Sequence, residues 1–109
     1  MPDKAKERIL EELGGIDEAV YDGLVADFAA QTAAQLAQAR AAALSGDMNS
    51  GAEIMHSVKG CAANLRLLRS MEAALAAETA FKAGHTARGI VRKLAGLETA
   101  VKSESGRKA

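Results

Sequence analysis

After Pro2 the chain contains no proline, and short clusters of Gly, Ser, Asn and Asp cut it into helix-length pieces. The breaks are Gly14-Gly15, Ser45-Gly46-Asp47, the Asn64 to Leu67 region and Gly84-His85-Thr86. Proline is what most strongly interrupts a helix, so its absence leaves each piece free to coil. Alanine is abundant and aromatic residues make up only 3% of the chain, which disfavours strands and favours helices. A chain of 109 residues is enough for one domain with one core.

Taken in order, Lys4 to Leu13 reads as a short helix with Ile9, Leu10 and Leu13 on one side. Asp17 is the expected N-cap of the next helix, with Ile16 and Tyr21 as a hydrophobic staple. That helix runs from Glu18 to about Leu44, with Val20, Leu24, Phe28, Ala39 and Ala43 as its apolar positions. Ser50-x-x-Glu53 reads as a capping box for a third helix. A turn at Asn64 to Leu67 ends it, because Asn tolerates the left-handed conformation that follows a helix. One unbroken helix from Ser50 to Ala83 is the competing reading, which would expose Leu67. The fourth helix carries Leu68, Met71 and Leu75 as a core stripe, with Glu78 and Phe81 as further landmarks, and Gly84 follows its end. His85 or Thr86 opens the last helix, with Ile90, Val91, Leu94, Leu97 and Val101 inward. Gly89 and Gly96 are expected at close helix contacts. The expected fold is therefore all-α: an antiparallel up-down four-helix bundle with a short N-terminal capping helix. Residues 1–15 would form that helix, 16–103 the bundle and 104–109 a polar tail, with fraying expected from Ser103.

Candidate chemistry concentrates in Ile54 to Leu65. At about 100° per residue, Ile54, Val58, Cys61, Ala62 and Leu65 share one face, and His56 lies on the other. Ala52, Lys59, Gly60 and Ala63 surround the histidine. Solvent faces of helices usually carry long polar side chains, and Gly within a helix costs about 1 kcal/mol against Ala. A glycine beside an outward imidazole therefore suggests clearance for something large. The bland alternatives are an ordinary surface histidine and a glycine that packs against a neighbouring helix.

His56-x-x-Lys59-Gly60, followed by Ala62-Ala63-Asn64-Leu65, resembles the signature of histidine-containing phosphotransfer (HPt) domains. Val58 fills the aliphatic slot of that signature, and Cys61 and Ala62 fill the small ones. Arg66 departs from it, because the family often has Gly there. The resemblance covers roughly residues 16 to 103. It implies a phosphorelay intermediate that accepts a phosphoryl group on His56 and passes it on, with Lys59 stabilising the phosphoryl oxygens. Ala52, Met55, Gly60, Ala63 and Leu67 would form the docking surface for a receiver domain, although Met48, Met55 and Met71 also read as core residues. The implied partners are a response-regulator receiver domain and a sensor histidine kinase, including hybrid kinases. No cofactor is expected on this chain, since Mg²⁺ belongs to the receiver. The protein would be a carrier without autonomous catalysis.

Other classes fare less well. Histidine side chains are mostly neutral at neutral pH, so the nucleophile needs no strong base. His56 and Cys61 are about 140° apart on a helix and form no nucleophilic pair; Cys61 reads as a small core residue. Two His and one Cys lack metal-site spacing. His85 reads as a solvent or capping residue, and Glu72 and Glu78 as bundle-edge residues; a nearby side chain is expected to bond the His56 ring, but the sequence does not name it. A net charge of zero offers no basic surface for nucleic acid. No apolar run is long enough to span a bilayer and no signal peptide is seen, so a cytoplasmic monomer is expected. Two further readings remain: a non-phosphorylated helical adaptor that binds a kinase or receiver domain, and a bundle subunit whose Gly60 face packs on a second chain.

Overall fold

The computed structural model describes residues 4–106. Among them are five helices and no strand: α1 (Lys4–Glu12), α2 (Glu18–Ser45), α3 (Met48–Asn64), α4 (Leu68–Lys82) and α5 (Ala87–Glu104). The four longer helices close a cycle, with α2 on α3, α3 on α4, α4 on α5 and α5 back on α2. The part of the expected tail at residues 107–109 lies outside the described residues.

The breaks act as expected, with two changes of residue. Gly46 ends α2 in the left-handed conformation, and the Asp47 carboxylate immediately accepts from the Ser50 amide at 3.2 Å. Asp47 is therefore the N-cap of α3, not Ser50, and the capping box is not used. With Gly46 reversing the chain, the next residue can cap the following helix without a spacer. At the far end of α3 the left-handed residue is Arg66 (φ 60°), not Asn64. The Arg66 amide bonds Ala63 O and the Leu67 amide bonds Ala62 O at 2.9 Å, which closes the turn and excludes the continuous helix. Arg66 thus takes the shape a glycine would take, and its guanidinium returns to Ala63 O and Asn64 O. Thr86 caps α5 by accepting from Gly89 N at 3.1 Å.

The core stripes are rotated from those read in the sequence. On α2, Tyr21, Val25, Phe28, Thr32, Leu36, Ala39 and Ala43 are buried, while Val20 and Leu24 are exposed. Two aromatic rings bury more area than one valine and one leucine, so Tyr21 and Phe28 set the phase. On α4 the small residues Ser70, Ala74, Ala77 and Ala80 face inward with Phe81, and Leu68 and Leu75 face out. On α3 the stripe is Gly51, Met55, Val58 and Ala62; Ile54 and Leu65 are half-buried and Cys61 is exposed. Gly51 explains this phase. A Cβ there would overlap the Phe81 ring, so α3 turns its glycine to α4 to admit the aromatic side chain. A Cβ at Gly96 would meet nothing within 4 Å, and one at Gly89 would meet chiefly the Thr86 hydroxyl. The close helix contact is therefore at Gly51.

The end that carries the α3–α4 turn is tied by polar bonds. The Tyr21 hydroxyl donates to Leu65 O at 2.6 Å. The Glu104 carboxylate accepts from Ser70 N at 2.6 Å and Arg69 N at 3.1 Å, so it caps the first turn of α4 from the last turn of α5. Ser103 and Glu104 are thus helical and engaged, where fraying was expected. Helix α1 has no buried residue and is tied by Lys6 to Asp22 at 2.7 Å and by Glu12 to Arg66 at 2.9 Å.

Candidate functional site

Rotating α3 toward α4 brings His56 alongside the second half of α4. The imidazole keeps 70% of its side-chain surface exposed, while Glu78 beside it keeps 4%. Glu78 lies four residues after Ala74 and three before Phe81, inside the inward stripe of α4. Its Oε2 meets His56 Nδ1 at 3.3 Å and Lys82 Nζ at 2.9 Å. Its Oε1 meets Lys59 Nζ at 2.9 Å, off the axis of an ideal hydrogen bond. The hydrogen bond from Lys82, helped by Lys59, holds the carboxyl down from its ordinary 4.5 to about 2, against the opposing effect of burial. Glu78 is thus an ionised, acceptor-only group. The ring nitrogen facing it must carry the proton to be bonded, which leaves Nε2 with its lone pair toward solvent.

Beside these groups runs an open groove of about 380 Å³, lined by Asn49, Ala52, Glu53, His56, Glu78 and Lys82. Gly60 is exposed, and a Cβ there would meet nothing within 4 Å, so it serves no packing within the chain. Ala63 is half-exposed and Ala52 is buried at the groove wall. Met55 and Leu67, expected on the docking surface, are instead core residues at 0% and 6% exposure. Met55 faces inward because the stripe centres on Gly51, and Leu67 turns in as the N-cap of α4. Lys59 is half-buried against Glu78 rather than standing free. His85 is exposed at the α4–α5 junction.

The sequence profile of the Hpt domain matches residues 23–103 of the chain. The chain belongs to the Hpt domain family. Curated proteins and solved structures yield no match. The Hpt match contains α3, α4 and nearly all of α2 and α5, so the whole His56–Glu78 cluster lies inside it. An Hpt domain is a phosphotransfer module of two-component systems, and the helical fold agrees with that class. No described helix of this Hpt chain is long and apolar enough to cross a membrane.

Glu78 is the site residue that the reading of the sequence left unassigned. A signal was present. A carboxylate in phase with Ala74, Ala77 and Phe81 faces the core, and a charge there demands partners. Lysines at 59 and 82 and a histidine at 56 meet that demand across two helices.

Proposed function

We propose that this chain carries a phosphoryl group on Nε2 of His56, taken from a receiver-domain aspartate or a kinase and passed to another response regulator. The observation that supports this most directly is an exposed imidazole whose Nδ1 rests on a buried, ionised carboxylate at 3.3 Å. In the forward step the Nε2 lone pair forms the P–N bond in line with the leaving group. The P–O bond to the receiver aspartate breaks, and its electron pair stays on that carboxylate. The proton remains on Nδ1, and the positive charge that develops on the ring faces Glu78. Phosphoryl transfer is chiefly positioning and charge stabilisation, so little else is asked of the bundle. Lys59 supplies positive charge one turn from the imidazole, and Gly60 and Ala63 leave room for the partner. The receiver supplies the aspartyl phosphate and Mg²⁺; this chain is a carrier, not an autonomous catalyst.

The architecture fits that role. We infer that the four long helices run alternately up and down, since each connection is short, with α1 across the end bearing the α3–α4 turn. The working unit is the bundle from residue 16 to the end of α5, acting as a cytoplasmic monomer, since the helix cycle buries its own core.

The test is transfer from a phosphorylated receiver domain to the full chain, with His56→Gln as control. The expected result is acid-labile phosphate on the wild type and none on the variant. Label retained by His56→Gln would overturn the assignment. Tight receiver binding without transfer would favour the adaptor.

A further inference from the structure

Glu78 carries one negative charge and holds two lysines. An i,i+4 Glu–Lys pair is common on helix surfaces and worth little there. This pair differs, because the carboxylate is almost fully buried and turned into the groove. The oxygen that binds Lys82 is also the oxygen that meets the imidazole. One carboxylate oxygen is therefore all that separates the Lys82 ammonium from the ring. The groove's other acid, Glu53, makes no ion pair among the described residues, so it does not claim the second cation.

The two lysines are not equivalent. Lys59 keeps 27% of its side-chain surface and sits on Oε1, away from the ring contact. Lys82 keeps 66%, lines the groove and ends on Oε2. Lys59 stays beside Glu78 as a second cation when Lys82 leaves, and Lys82 has the solvent space and the flexible four-carbon stem to move.

We propose that Lys82 is a second phosphoryl-holding residue, which exchanges Glu78 Oε2 for the phosphoryl oxygens once His56 is phosphorylated. Lys59 stays on Oε1 and acts from there. The freed Oε2 keeps the Nδ1–H bond as its main contact, at the moment the ring carries most positive charge. The inference rests on His56 being the acceptor.

The experiment uses the full chain as wild type, Lys82→Met and Lys82→Arg, each phosphorylated with phosphoramidate. That donor loses ammonia as its P–N bond breaks and the bond to Nε2 forms. Phosphohistidine is followed by ³¹P NMR after the donor is removed. A cation in contact favours the doubly ionised phosphoryl group. Lys82→Met should raise the midpoint of the phosphoryl pH titration by about half a unit and, because the protonated form is the labile one, shorten the phosphohistidine half-life about 1.5-fold near that midpoint and toward about threefold above it. Lys82→Arg should restore both. Unfolding of the unphosphorylated chain is followed in parallel, because Lys82→Met also removes a partner of Glu78; a merely structural role would lower the unfolding midpoint and leave the phosphoryl titration unmoved. An unchanged titration and half-life in Lys82→Met, with the wild type phosphorylated, would overturn the proposal and leave the acceptor reading standing. No phosphohistidine on the wild type would overturn the acceptor reading, and this proposal with it.

Discussion

Glu78 and Glu104 are both carboxylates that reach from one helix to another, but their partners differ in kind. Glu104 accepts from two backbone amides of α4, which cannot move without unwinding the helix. Glu78 meets an imidazole and two lysines, all of which can rotate away. One end of the molecule is thus fastened and the other is poised. The same side-chain chemistry serves architecture or exchange according to whether its donors belong to the backbone or to flexible stems.

Acid tests this contrast most severely at Glu78. Its carboxyl is lowered from 4.5 to about 2, so its stabilisation is complete above the higher value and drains as pH falls toward the lower. Denaturant titrations at pH 5 and pH 2.5 should show wild type losing up to about 2 kcal/mol more than Glu78→Gln. Equal losses would mean that the carboxylate is not held by its lysines. Next in size is Glu104→Ala, which frees two amides in the first turn of α4. It should cost about 1–2 kcal/mol in chemical denaturation and leave phosphate acceptance on His56 unchanged. A large fall in acceptance without loss of stability would erase the distinction between the two ends. Smallest is Arg66→Gly, which relieves a left-handed residue but gives up the pair to Glu12. The two effects oppose, and the net change in unfolding free energy should stay within about 1 kcal/mol. A larger loss would show that the Arg66–Glu12 pair holds α1 more firmly than a surface pair does.

The sequence was legible where local rules decide. Gly46, Gly84 and Thr86 mark helix ends by backbone geometry and capping, and the structure uses all three. The outward side of His56 also followed from spacing alone. Helix phase was less legible, because it depends on what a facing helix offers. Cys61 and Met55 exchange roles since Gly51 must face Phe81, a relation between residues thirty positions apart. Leu68 and Leu75 read as core, yet the close approach of α4 to its neighbours selects alanine and serine instead. Glu78 required both steps at once: the phase of α4 and the side of α3 it meets.

The fastening at the α3–α4 turn bears on how the domain is to be excised. A fragment trimmed to the matched span, 23–103, would begin two residues after Tyr21 and stop one residue before Glu104. It would keep every group of the His56 groove and lose both the hydroxyl on Leu65 and the carboxylate on α4. Such a fragment would present an intact site on a loosened frame, whereas boundaries drawn outside Asp17 and Ser105 would retain the clasp.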